Sequence, residues 1–117
     1  MIYDRELILC TLPAGVGTLL QGKLIEVSHH LYAEQEVFHR RYWEAVQAGT
    51  RIDKMAAMPR MLGDDIAAEM YVQLDDGHVY RIEQAQEATD EDGLDIYLLS
   101  LYRMGGNYDI GRPDAAP

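Results

Sequence analysis

Four histidines, one cysteine and twenty carboxylates are the residues of this 117-residue chain that could do chemistry. His29 and His30 are adjacent. On a strand, neighbouring side chains leave opposite faces, so the pair is badly placed to chelate one ion. His39 completes no known zinc spacing, and His78 stands beside a turn. Asp90-Glu91-Asp92-Gly93 has the composition of a calcium loop, but an EF-hand needs spaced ligands before its glycine and a distal glutamate. Gly15-Val16-Gly17 lacks the third glycine or the Lys-Ser/Thr of a phosphate loop. Cys10 lies in an apolar run with no histidine at a diagnostic spacing, so it reads as a buried, inert thiol. No Gly-x-Ser-x-Gly occurs. The expectation is a protein without catalytic residues, metal or cofactor, and not an enzyme.

The charges carry more information by position than by type. The formal net charge is −10. Residues 1–62 hold seven acidic and seven basic side chains; residues 63–117 hold thirteen and three, which is the whole −10. Five of the ten basic residues fall at Arg40, Arg41, Arg51, Lys54 and Arg60. A solvated acidic surface is one reading. The other is a head-to-tail contact in which Arg40, Arg41 and Arg51 meet the acidic half of a second subunit, with Asp75, Asp76, Asp90 and Asp92 as its candidate contacts. An acidic chain of this kind does not grip phosphates.

The elements that must position these residues are mostly strands. Length suits one domain with a modest core. No apolar run approaches the roughly 20 residues of a membrane helix, and residues 1–10 do not have the pattern of a signal peptide. Residues 5–12 read as a first strand ended by Pro13. Residues 13–22, with Gly15, Gly17 and Gly22, read as a loop. A second strand starts at Lys23 and continues with a bend toward Phe38. A short helix over about 41–48 follows, with Tyr42, Ala45 and Val46 on one stripe and Gly49 at the left-handed closing position. Two turns of helix are unstable alone, so Phe38, Tyr42 and Trp43 are expected as packing anchors.

A third strand over 51–61 competes with a helical reading, because Met55, Met58 and Met61 recur every three residues while Pro59 opposes an internal helix position. Those methionines are either core filler or an adaptable contact surface. Residues 66–74 alternate, with Met70, Val72 and Leu74 on one face. Asp75-Asp76-Gly77 is the clearest hairpin signal. The return strand begins at Val79 with Tyr80 and Ile82 inward. Residues 87–93 form an acidic turn. The last strand, 94–103, is apolar on both faces, with Leu94, Ile96 and Leu98 on one and Tyr97, Leu99 and Leu101 on the other, so it should be covered on two sides. The expected architecture is mainly β: a small antiparallel barrel or sandwich of about six strands, with one short α-helix in a crossover connection. The domain spans 1–104, and 105–117 reads as a flexible tail.

With the strands placed, the order of motifs from Ala33 to Arg103 resembles the phage head–tail joining family, also called head closure or stopper proteins. Glu36-Val-Phe38 resembles that family's strand end. Arg41-Tyr-Trp-Glu-Ala45 with Gly49 resembles its short helix. Glu69-Met-Tyr-Val-Gln-Leu74 with Asp75-Asp-Gly77, then Val79-Tyr-Arg-Ile82, resembles its hairpin. Leu94-Asp-Ile-Tyr-Leu-Leu99 resembles its closing strand. The resemblance implies a virion structural protein of the neck, made in the host cytoplasm. It implies a homo-oligomeric ring, commonly dodecameric, that meets the portal or adaptor on one side and tail proteins on the other. DNA passes through or stops in the channel without sequence-specific binding, and no membrane is involved. A tail terminator or tail-completion ring, and a small non-viral β-barrel binding module, stay open as alternatives.

Overall fold

A computed structural model describes residues 2–12, 23–36, 49, 51–61, 66, 70–105 and 108–111. Among these, seven strands form one sheet: β1 (Arg5–Thr11), β2 (Lys23–Gln35), β3 (Lys54–Pro59), β4 (Tyr71–Gln73), β5 (Val79–Thr89), β6 (Asp95–Arg103) and β7 (Asp109–Gly111). The order is β1-β4-β5-β6-β3-β2-β7, and β1 also pairs β2. The pairings therefore return to their start, from β1 through β4, β5, β6, β3 and β2 back to β1. All are antiparallel except β2 with β7.

β4, β5 and β6 form a meander, and its two turns are built alike. Gly77 N–H donates to the Leu74 carbonyl at 3.0 Å, and Gly93 N–H to the Asp90 carbonyl at 3.1 Å. Both glycines have φ of 81°. Each turn is thus a three-residue loop closed by a left-handed residue, the position where a side chain is penalised and glycine is not. Asp-Asp-Gly at 75–77 and Glu-Asp-Gly at 91–93 are the same solution used twice.

The main core gathers Leu7 and Leu9, Tyr32, Ala56 and Met58, Val72 and Leu74, Tyr80 and Ile82, and Tyr97, Leu99 and Leu101. The expected inward faces of the 70–74 and 79–82 segments are all there. In β5 the alternation then breaks: Ile82 pairs Leu101, Gln84 pairs Ser100, and Glu83 is the extra residue of a bulge. Beyond it Ala85, not Gln84, packs on the core. One inserted residue exchanges the two faces of a strand. β2 carries a second bulge at Val27, between the pairs Leu9–Ser28 and Cys10–Glu26.

A smaller cluster lies on the opposite face. Cys10, Leu24, Tyr71 and Val79 are buried there beneath Met104, Tyr108 and Ile110. β7 therefore lies within the stretch expected as a tail: Tyr108 and Ile110 pack on this cluster, and Asp109–Gly111 pair with Lys23–Ile25. Burial of Cys10 pushes its thiol up to about 12, as an inert core cysteine requires.

β3 is a strand, not a helix, and it is shorter than the expected 51–61. Met55 and Met58 are buried, as are Ala56 and Ala57 between them, so both faces of β3 are covered. The three-residue spacing of methionines is no helical stripe: Met55 and Met58 leave opposite faces, and Met61 is 63 % exposed. Pro59 is tolerated because it ends the strand. β6 is likewise covered on both faces, with Ile96 and Ser100 buried opposite Tyr97, Leu99 and Leu101. Leu94 departs from its expected face, being 43 % exposed just before the strand starts. The expected helix over 41–48, with Phe38, Tyr42, Trp43, Arg40 and Arg41, lies outside the described residues. Gly49 is described, and its φ of 79° is the left-handed value expected of it.

Candidate functional site

The densest set of polar side chains caps one end of the main core. The β4–β5 turn places Asp75 and Asp76 there, the end of β2 places Tyr32 and Glu34, the start of β3 places Lys54, the start of β1 places Arg5, and β5 places Tyr80. Tyr32 Oη donates to Asp75 Oδ1 at 2.5 Å, and Tyr80 Oη to Asp76 Oδ2 at 2.8 Å. Both tyrosine rings belong to the core, so two apolar bodies are anchored by hydroxyls at the rim. Lys54 Nζ lies 3.0 Å from both Asp76 Oδ2 and Glu34 Oε1, and 5.7 Å from the centre of the Tyr80 ring. Arg5 lies 3.4 Å from both Glu34 and Asp75. Asp76 Oδ1 also accepts the His78 N–H at 2.9 Å.

The electrostatics follow from this geometry. Burial alone would raise the Asp76 carboxyl, but bonds from the His78 N–H, the Tyr80 hydroxyl and Lys54 outweigh it and hold the group below its usual range. Burial opposes the Lys54 charge, yet Asp76 and Glu34 raise its pKa overall. Burial raises the Tyr32 and Tyr80 hydroxyls, and the neighbouring carboxylates raise them further. The arrangement is a latch that ties the β4–β5 turn to β1, β2, β3 and β5. Beside it lies an open depression of about 340 Å³ lined by Glu34, Gln35, Glu36, Asp53 and Lys54.

A second group surrounds Tyr102. The guanidinium carbon of Arg51 lies 4.8 Å from the ring centre and that of Arg81 5.2 Å, both within cation–π range. Arg51 also pairs with Asp53 at 2.9 Å, and Arg81 with Glu83 at 2.6 Å. At the far end of the β5–β6 hairpin, Asp90 Oδ1 accepts the N–H groups of Asp92 and Leu94 at 2.9 and 2.8 Å, and Oδ2 accepts the Tyr3 hydroxyl at 2.8 Å. Burial, with the Asp90 bond next, pushes the Tyr3 hydroxyl up to about 12. Arg60 ties the same hairpin across its strands, 2.7 Å from Glu87 and 3.6 Å from Asp95.

The structure thus separates residues that charge patterning had grouped. Asp75 and Asp76 face Arg5, Lys54 and two tyrosines of their own chain. Asp90 and Asp92 stand at the opposite end of β5. Arg51 stacks on Tyr102. The latch around Lys54 is not visible in the sequence, because its members come from β1, β2, β3, β5 and a turn. The one local signal was aspartate before Gly77, a residue type that bonds its own turn. Among the described residues no three His, Cys, Asp or Glu side chains are grouped to hold a metal ion. No buried side-chain nitrogen or oxygen among them lacks a hydrogen-bond partner. No protein-family model matches the chain, and no curated protein matches it.

Proposed function

We propose that the chain is a structural subunit of a tailed-phage neck, assembling as a ring between the portal or adaptor and the tail and helping to retain packaged DNA. One observation carries the reading. Within the segments whose residues resemble the head–tail joining proteins, Tyr71–Gln73, Val79–Ile82 and Asp95–Leu99 lie on three adjacent strands, β4-β5-β6, of a single sheet. The return of the pairings through β2 to β1 supports a small barrel as the subunit's architecture. The charge separation supports head-to-tail contacts between subunits. The candidate contacts are Arg40, Arg41 and Arg51 on the basic side and Asp75, Asp76, Asp90 and Asp92 on the acidic side; Asp75, Asp76, Asp90 and Arg51 also make contacts within the chain, which such an interface would have to share or exchange. Both ends are screened by salt, so assembly weakens as ionic strength rises.

The test is co-expression with the portal and adaptor of the same virus, followed by sedimentation and electron microscopy. Rings that co-sediment with the portal support the reading. A chain that neither forms rings nor co-sediments refutes it, and binding to tail tubes alone selects the tail-terminator alternative. Charge reversal at Arg40 and Arg41 should weaken assembly; unchanged assembly removes the electrostatic contact.

A further inference from the structure

His29 has a bonding pattern that only one protonation state satisfies. Its Nδ1 lies 2.8 Å from Glu6 Oε1 on β1, and its Nε2 contacts Glu26 Oε1 on β2. An ionised carboxylate only accepts hydrogen bonds, so both ring nitrogens must donate, and the ring is an imidazolium when both contacts are made. The place matters as much as the chemistry. Residues 26–32 pair only with β1 among the described residues, since β2 meets β7 at 23–25 and β3 at 33–35. The Val27 bulge interrupts that single ladder two residues before His29.

We propose that the Glu6–His29–Glu26 contact is a proton-operated clasp on the central part of β2. Protonated, it joins β1 to β2 directly beside the bulge. Deprotonated, one of its two hydrogen bonds must be lost, because a neutral imidazole has a single donor. Where the bond lost is the one to Glu6, segment 26–32 is held by the β1 ladder alone; where it is the one to Glu26, the cross-strand bond loses its imidazolium charge. The groups that face His29 are Glu6 from β1 and Glu26 from β2 itself. Its cross-strand partner Ile8 and the neighbouring Val27 and Leu31 carry no charge, and Ser28 and His30 bond each other at 2.6 Å on the other face. The Glu6 bond raises the His29 pKa most, burial opposes it, and Glu26 raises it further. A raised value places the clasp's contribution fully below the ordinary histidine pKa, with loss as pH rises through the folded value. The clasp does not depend on the neck reading, and its failure leaves that reading untouched.

The experiment is an NMR titration of His29 in the full chain, with amide-exchange protection of residues 28–31 read at pH 6 and pH 8.5. Protection should fall about threefold or more across the His29 midpoint, a local opening rather than global unfolding. Glu6→Gln with Glu26→Gln should lower that midpoint, and His29→Gln should give low, pH-independent protection. All three side chains reach the surface, so the variants fold; the single Glu6→Gln, which keeps the Glu26 contact, should show an intermediate midpoint. A midpoint unmoved by the double substitution, or protection unchanged between the two pH values in the wild type, overturns the proposal.

Discussion

Replacing Asp76 by alanine removes three acceptor contacts at once, and the structure ranks them. The Tyr80 hydroxyl, 2.8 Å away on a ring that is 2 % exposed, loses its charged partner in a place where water cannot fully replace it. Such a bond is worth about 1.5–3 kcal/mol. The His78 N–H and Lys54 Nζ lie nearer the surface and rehydrate, so together they add about 1 kcal/mol. The expected loss is about 3 kcal/mol, a fall in Tm of about 10 °C for a domain of this size. A double-mutant cycle with Tyr80→Phe should return about 1 kcal/mol or more of coupling. The pH dependence has a fixed sign. A carboxyl depressed below its model value of 3.8 stabilises the fold above that value and loses the contribution as pH falls through the folded value. The deficit of the alanine variant, measured by thermal denaturation, should therefore be full at pH 7 and smaller at pH 3. A Tm change under about 3 °C, or an equal deficit at both pH values, would show that the carboxylate does not hold the turn in the way described.

Met58→Ala should cost about 3 kcal/mol in chemical denaturation, because the side chain is fully buried among β3, β6 and the main core; a loss below about 1 kcal/mol would mean that the site collapses to fill the space. Gly93→Ala meets no atom within 4 Å, so its expected cost of about 1 kcal/mol is conformational alone, and Gly93→Asn should recover part of it. Cys10 should react with a thiol reagent only as fast as the fold opens, with the rate rising in denaturant; rapid labelling of the native chain would contradict its burial. Arg60→Ala, despite two carboxylate neighbours, should change stability by less than about 1 kcal/mol, because Glu87 and Asp95 are largely solvated.

The parts of the fold legible in the sequence are those set by neighbours along the chain. Gly77 needs a positive φ, and Asp-Asp before it names the turn. Val72 and Leu74, then Tyr80 and Ile82, fall on the main core as their spacing of two indicates, although Tyr71 and Val79 beside them are buried on the opposite face. Reading fails where a long-range partner decides. Glu83 has nothing to mark it as a bulge; only the register of β6 shows that one residue is extra. Met55 and Met58 suggested a helical stripe because a strand buried on both faces has no alternation to display. Residues 105–117 read as a tail because glycines and Pro113 dominate their composition, while the cluster on which Tyr108 and Ile110 pack includes Cys10 and Leu24, more than 80 residues earlier. The latch is hidden for the same reason: Tyr32 and Asp75 are 43 residues apart.

β2 touches three strands that the chain supplies at very different times. β1 precedes it, β3 follows within some twenty residues, and β7 pairs Asp109 with Lys23. During synthesis, the β1–β2 hairpin can form as soon as it is made. The β4-β5-β6 meander can form as a second local unit. Joining them requires β1–β4 and β3–β6, and the β2–β7 pairing must wait for residues 109–111. Long-range strand pairing of this kind slows folding, since loop closure precedes the contacts that reward it. A chain stopped before Tyr108 would leave Cys10, Leu24 and Tyr71 without Tyr108 and Ile110 above them. Residues 108–111 thus complete the cover of a cluster that begins with β1, and the fold closes only when the two are brought together.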